Sequence, residues 1–486
     1  MNLRAVGIYL GHLLLVEGAF MIPALLIAAY HKESASVYAF LISICILLAL
    51  GAILARRKRS GTGIYAREGF ITVSLGWILI SLFGALPFFI SGAVPNFMDC
   101  WFETVSGFTT TGSSILTDVE ALPWSLLYWR SFTHWLGGMG VLVFMLAIVP
   151  FGKGSGETFH LLRAEAPGPS VDKLVPTIRR TTRILYLIYI ALTLLLILLL
   201  LLGGMPLFDS VTHAFGAAGT GGFSIKNASI GAYPSPYLQA VIGIFMALFG
   251  VNFTVYYMVL IGQIRPALRN EELRLYVGIM LGATALIAVD LLPQYAQLGF
   301  GKTVLDSFFQ VSSIMTTTGY ATANFDKWPQ LSRFVLVLLM IVGASAGSTG
   351  GGIKVSRLII LWRAIKNQML AMLRPRMVRP IRLDGKPLTD SVVRGTYAFA
   401  IVYSAICLGS MLLLTLDEKS METTITAVFA CINNIGPGLD LVGPAGNFSF
   451  FSPLSKFVLS LDMLLGRLEI FPMLLLFMPS VWKRRA

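Results

Sequence analysis

Four short stretches of this 486-residue chain share one chemistry. Thr109-Thr110-Thr111-Gly112-Ser113, Gly219-Thr220-Gly221-Gly222-Phe223, Thr316-Thr317-Thr318-Gly319-Tyr320 and Asn433-Asn434-Ile435-Gly436-Pro437 each centre on a glycine and supply hydroxyls, amides and backbone carbonyls. Such hard oxygen ligands suit a dehydrated alkali cation, and glycine permits the backbone geometry that turns carbonyls inward. A single Thr-rich turn is an ordinary loop, but these four share a register. An acid stands 13 residues before the aligned glycine in the first three (Asp99, Asp209, Asp306) and 14 before it in the fourth (Glu422). The position six before each glycine is small: Ser106, Gly216, Ser313 and Ala430. An acid, about three helical turns and a glycine-centred turn read as a short helix with the acid near its positive N-terminus. Its negative C-terminus then points at the oxygen-rich loop, where it favours a cation.

The glycines lie 110, 97 and 117 residues apart, which leaves room for an outer and an inner membrane helix around each short one. The expected fold is therefore an all-α polytopic membrane protein. An N-terminal transmembrane hairpin (1–60) precedes four pore repeats (61–165, 166–270, 271–385 and 386–486), each an outer helix, a pore helix, a turn and an inner helix around a central pore. The hairpin is expected over 5–30 and 37–55. The short helices are expected over 98–108, 208–218, 304–315 and 421–432, and the outer helices near 69–91, 184–203, 275–297 and 395–416. The inner helices are expected over 124–150, 235–262, from 331, and over 452–481, with a cytoplasmic loop at 151–183.

Composition agrees. The chain is 56% hydrophobic and 13% charged, roughly half the charged fraction of a soluble protein. Runs such as 184–202 and 397–416 reach the length of about 20 apolar residues that a bilayer span takes. The net charge of +13 is laid out by topology. Arg56-Arg57-Lys58-Arg59, the loop 151–183, the segment 363–394 and the terminal Lys483-Arg484-Arg485 fall on one side, as the positive-inside rule requires of cytoplasmic segments. Both termini are thus expected in the cytoplasm, and anionic lipid or an acidic partner accounts for the charge without nucleic acid. Cys45, Cys100, Cys407 and Cys431 form no CxxC pair, and the five histidines show no metal-ligand spacing.

Two features break the helical pattern. The run Gly343-Ala344-Ser345-Ala346-Gly347-Ser348-Thr349-Gly350-Gly351-Gly352-Ile353-Lys354 holds five glycines, each costing a helix about 1 kcal/mol relative to Ala. Non-helical backbone at membrane depth is tolerated where it is buried in protein or lines water. A glycine-rich helix contact and a phosphate loop are the competing readings, but Walker spacing is absent, and a movable intramembrane loop beneath the turns is preferred. The second feature is Arg467, midway along the expected last inner helix with Asp462 and Glu469 nearby. It reads either as a structural ion pair or as a cation projecting into the pore. Arg130, Arg333 and Lys456, near outer ends of inner helices, are expected to snorkel or to pair with the pore-helix acids.

Taken together, the turns (Ser106-Gly107-Phe108-Thr109-Thr110-Thr111-Gly112-Ser113 above all), the run ending at Lys354 and the Arg467 helix resemble the TrkH-type membrane subunit of the bacterial Trk/Ktr/HKT potassium transporter superfamily. The resemblance spans nearly the whole chain, and the N-terminal hairpin fits the TrkH type better than its shorter Ktr relatives. It implies K⁺ uptake across the bacterial inner membrane by a homodimer with one pore per protomer. It also implies a cytosolic, nucleotide-binding regulatory ring of RCK/KTN type, with ATP/ADP or NAD(H) bound only on that partner subunit. The selectivity filter it implies is Thr110, Thr111, Gly112, Thr220, Gly221, Gly222, Thr317, Thr318, Gly319, Asn434, Ile435 and Gly436, which would hold K⁺. The gate it implies is 343–354 with Arg467. Copy four departs most, with Asn433, Asn434 and Pro437. The alternative on the same scaffold is a Na⁺-permeable or Na⁺/H⁺-coupled cation transporter. In related plant transporters a serine at the first filter glycine goes with Na⁺ preference, and here Gly112 is intact. A carrier of organic solutes fits the acid spacing less well, and no nucleophile–base pair, metal cluster or nucleotide loop suggests an enzyme.

Overall fold

The computed structural model describes residues 2–56, 66–140, 178–295, 297, 299–374 and 379–482. Expectations that fall elsewhere, namely 141–150 of the first inner helix, most of the loop 151–183, Arg57, Lys58, Arg59 and the terminal basic run, lie outside the described residues. The fold is all-α; a two-residue ladder pairing Arg382–Leu383 with Lys386–Pro387 is the strand pairing among the described residues. Among the described residues six helices are long and apolar enough to cross a membrane, or seven when the bent pair Pro236–Phe249 and Phe253–Leu260 is taken as one span.

The N-terminal hairpin packs Leu3–Phe20 and Ile22–Tyr30 against Ser34–Ala55. Its close approach is set by glycines: a Cβ on Gly11 would lie 2.8 Å from the Gly51 carbonyl oxygen. Outer helices Ala66–Gly84 (continued by Leu86–Ile90), Ile178–Leu202, Glu271–Leu291 and Asp390–Leu414 follow. The second begins at 178, so the end of the expected loop 151–183 is helical. The short helices are Phe97–Phe108, Leu207–Gly219, Phe300–Met315 and Met421–Ile432. Asn96 and Ser420 cap the first and last by accepting N–H groups of Met98 and Thr423.

All four inner helices break at the level below the turns; the glycine run leads one to expect the break in the third, and the other three differ from expectation. The first ends at Gly138 and is followed by Gly140 at φ +77°. The second is not continuous over 235–262: Pro236–Phe249 and Phe253–Leu260 meet at 91°, and the Asn252 side chain caps the new helix at Thr254 N–H. The third stops at Val342 and resumes as Val355–Leu373. The fourth, expected over 452–481, stops at Arg467, with Glu469 and Ile470 at φ +54° and +69° ahead of Pro472. A proline disfavours helix at the residue before it. Arg467 therefore sits at a helix C-terminus, where a cation is favoured, and not midway along a helix.

Candidate functional site

The four short helices end identically. In the first, Thr110 N–H donates to the Gly107 carbonyl at 3.1 Å and Thr111 N–H to the Ser106 carbonyl at 2.9 Å. Thr220 and Gly221 bond Ala217 and Gly216, Thr317 and Thr318 bond Ile314 and Ser313, and Asn434 and Ile435 bond Cys431 and Ala430 in the same pattern. This double closure needs a left-handed residue, and φ is +57°, +54°, +60° and +55° at Thr110, Thr220, Thr317 and Asn434. The small position six before each glycine is thus the acceptor of the bond that reaches back five residues. The glycines themselves are left-handed, with φ of +82°, +77°, +84° and +99° at Gly112, Gly222, Gly319 and Gly436. A non-glycine residue in that region costs about 1 kcal/mol or more, and four in register mark backbone held for a purpose.

The turns close on one another in sequence order. A Cβ on Gly112 would lie 2.0 Å from the Gly221 carbonyl oxygen, and one on Gly222 would lie 1.9 Å from that of Thr318. On Gly319 it would lie 2.1 Å from the oxygen of Ile435, and on Gly436 2.9 Å from that of Thr111. Each glycine thus abuts the carbonyl of the next turn, and the fourth abuts the first, forming a closed ring. Gly112, Gly222 and Gly319 are half-exposed while Thr111, Gly221, Thr318 and Ile435 are buried. Hydroxyl pairs stiffen two turns, Thr109 with Thr111 at 2.8 Å and Thr316 with Thr318 at 2.7 Å. In the divergent fourth turn the Asn434 amide donates to Thr111 Oγ1 and to the Met463 carbonyl, both at 2.9 Å, so an amide there does the bridging.

The segment 343–354 lies directly beneath turns three and four. Gly351 N–H donates to Thr317 Oγ1 at 2.7 Å, and a Cβ on Gly351 would lie 2.3 Å from the Asn433 carbonyl oxygen. The segment lacks a helical ladder but is bonded on every side. Ser345 N–H donates to Gly250 O, Thr349 Oγ1 to Phe249 O, and Phe253 N–H to Gly347 O. The Glu272 carboxylate accepts Ala346 N–H at 2.7 Å and Ser356 N–H at 3.1 Å, holding both ends of the loop. Lys354 donates to the Gly350 carbonyl. Ala344 and Ala346 are buried, Ser348 bonds Ser345 O, and Gly343 and Gly352 take the left-handed φ that reverses the chain.

Arg467 ties three of these parts together. Its guanidinium donates to Thr349 O at 2.8 Å, to Gly138 O at 2.7 Å, to Gly137 O, and to Thr110 Oγ1 at 3.3 Å. Asp462 instead accepts from Ser410 at 2.8 Å, and Glu469 pairs with Arg357. The expected pairing of the outer cations is found: Arg130 with Glu103 and Lys456 with Asp99, each at 2.6 Å, and Arg333 with Glu422. Lys456 and Arg333 each join an inner helix to the short helix of the following copy.

Sequence reasoning missed the residues nine before the first three glycines. Glu103 accepts Ser114 Oγ (2.9 Å) and Ile115 N–H (3.0 Å), His213 Nε2 bonds Ser224 Oγ (2.9 Å), and Gln310, with its amide oxygen toward the loop, accepts Thr322 N–H (2.9 Å). All three tie the short helix to the chain leaving the turn. Their signal was a polar residue in the same register of three apolar helices. His134, which bonds Gly107 O and Phe223 N–H, left no such signal.

A family model for TrkH, described as a cation transport protein, matches residues 36–484. The chain is 35% identical over 488 residues to the Trk system potassium uptake protein TrkH of Salmonella typhimurium, covering 99% of this chain and 100% of that protein. It is 34% identical over 487 residues to the Trk system potassium uptake protein TrkG of Escherichia coli K12, covering 99% of each. The crystal structure of the potassium transporter TrkH from Vibrio parahaemolyticus superposes with a TM-score of 0.89 at 30% identity, covering 99% of this chain and 100% of that one.

Proposed function

The chain belongs to the TrkH family of cation transport proteins, and on that premise we propose that it takes up K⁺ through a filter built from the four glycine turns. It is a multi-pass membrane transporter and not an enzyme. The observation that carries the K⁺ reading is the closed ring in which each glycine abuts the next turn's carbonyl. Rings of backbone carbonyls replace the hydration shell of an alkali cation, and four helix C-termini add their partial negative charge around it. Three residues per turn form the ion site, from Thr110, Thr220, Thr317 and Asn434 up to the glycines, with the fourth turn contributing backbone oxygens more than side chains.

The segment 343–354 with Arg467 is the gate in this reading. What supports it is the direct bonding of Gly351 to Thr317 and of Arg467 to both Thr110 and Thr349. The division into an N-terminal hairpin (1–60) and four pore repeats (61–165, 166–270, 271–385 and 386–486) is part of the same proposal. The relatives' names make each a part of a Trk system, which supports association with other subunits. The finer proposal is a homodimer in the bacterial inner membrane, both termini cytoplasmic, docked on a cytosolic ring that carries the nucleotide. The basic segment 363–394 would meet that ring. Neutralising its lysines and arginines should release the partner in pull-downs from native membranes, and unchanged recovery would remove this surface from the interface.

Uptake of ⁸⁶Rb⁺ into proteoliposomes holding the purified protein tests the transport reading. Unlabelled K⁺ should compete strongly, Na⁺ weakly and organic solutes not at all. Equal competition by Na⁺ would assign the pore to the Na⁺-permeable alternative.

A further inference from the structure

Turn two, Gly219-Thr220-Gly221-Gly222, is the poorest of the four in side chains. Glycine surrenders the most conformational freedom on ordering, and this turn has no hydroxyl pair of the Thr109–Thr111 or Thr316–Thr318 kind to hold it. His134, on the inner helix of copy one, fills the space its side chains would take. A Cβ on Gly221 would lie 2.3 to 2.6 Å from atoms of the imidazole, and one on Gly219 would lie 2.2 Å from the His134 carbonyl oxygen. The imidazole is fully buried. Its Nδ1 lies 2.7 Å from the Gly107 carbonyl oxygen, and Phe223 N–H donates to its Nε2 at 3.1 Å. A carbonyl only accepts and a backbone N–H only donates, so Nδ1 carries the proton and Nε2 does not. His134 thereby links the end of short helix one to the residue immediately after Gly222. The Phe223 ring centroid lies 4.2 Å from the imidazole and 3.4 Å from the Arg130 guanidinium carbon, and the Phe223 carbonyl accepts the Tyr320 hydroxyl at 3.2 Å.

We propose that His134 is a positioning residue for ion selectivity: its neutral imidazole stands in for the side chains turn two lacks and sets the Gly221 carbonyl in the ring. The proposal rests on reading the four turns as the filter. A substitute must donate at one end and accept at the other, which glutamine can do and leucine cannot.

The test compares full-length His134→Leu, His134→Gln and Gly112→Ser proteins in liposomes, reading how well K⁺ and Na⁺ each inhibit ⁸⁶Rb⁺ uptake. His134→Leu should lower the K⁺:Na⁺ preference about tenfold, because two buried partners lose their bonds. His134→Gln should stay within about twofold of the parent, since both bonds can be remade. A purely structural role would change the yield of folded protein or the total flux and leave the ratio alone. Should the leucine protein not be recovered folded, His134→Asn, whose shorter amide cannot span both partners, carries the same expectation. A parental ratio in the leucine or asparagine protein beside a lost ratio in Gly112→Ser overturns the role of His134 and leaves the filter standing. Equal losses with leucine and glutamine also overturn it. Parental ratios in all the variants remove the filter reading, and this inference with it.

Discussion

At Gly112 the chain makes its tightest demand. A Cβ there would meet the Gly221 carbonyl oxygen at 2.0 Å, and φ is +82°. Gly112→Ser must move backbone on two turns at once, so the protein should fold while its K⁺ over Na⁺ preference falls about tenfold. Competition against ⁸⁶Rb⁺ uptake reads this, and an unchanged ratio in folded protein contradicts it. Glu103 makes a different demand. It and Arg130 are buried, joined at 2.6 Å, and Glu103 also receives Ser114 and Ile115. Removing one partner of such a pair leaves an uncompensated buried charge, so Glu103→Ala should cost about 3 kcal/mol. Thermal unfolding in detergent should show a clear fall. The half-exposed Lys226–Glu120 pair is of the kind worth less than about 1 kcal/mol, so Glu120→Ala should barely shift the same transition. Similar shifts for the two variants would show that burial does not rank these pairs.

Among the elements, the short helices were legible and the inner helices, the third apart, were not. Phe97–Phe108 and Met421–Ile432 fall within a residue of their expected limits, because an acid, a capping Asn96 or Ser420 and a terminal glycine turn punctuate them. The first, second and fourth inner helices are expected as single spans because hydropathy is blind to a break between two apolar pieces. Gly250 with Asn252, and Pro472 after Arg467, were the available marks. What keeps those breaks tolerable is tertiary and lies outside any local window: Tyr276 bonds the Ala247 carbonyl at 2.9 Å, and Arg467 takes the end carbonyls of the first inner helix. The run 343–354 was legible as non-helical from its glycines, but its anchorage through Glu272 and Gly250 was not. A local window of sequence cannot announce a partner 74 or 84 positions away. As a gate, the loop must exchange these bonds for others, so weakening them should favour opening. Glu272→Ala, shortening within 344–350, and Arg467→Ala should each raise K⁺ flux without any partner subunit. A unit charge about 5 Å from K⁺ opposes it by roughly 3 kcal/mol at an effective dielectric of 20, or about a hundredfold in passage. The loop and arginine changes should combine less than additively, since Arg467 donates to Thr349 O. Fluxes no higher than the parent's, in variants that fold and insert, would move the gate elsewhere.

For the molecule as a whole, the four copies are joined into one ring by contacts that skip along the chain. Lys456 reaches Asp99 and Asn434 reaches Thr111, so the last copy closes on the first. The sequence pattern that announced this was the repeated spacing of acid and glycine; the identity of the closing pairs was not in it, because each pair is separated by more than 300 residues. The function proposed for a ring closed in this way, the holding of a dehydrated cation between carbonyls, can be asked of its geometry directly. Crystals of the full-length protein grown in Rb⁺ or Tl⁺ provide that test through anomalous scattering. Density is predicted inside the ring, between the carbonyl oxygens of Thr111, Gly221, Thr318 and Ile435, and it should weaken when K⁺ replaces the heavier ion but persist when Na⁺ is added. A ring without anomalous density, with the ion bound at another place in the protein, would contradict the account.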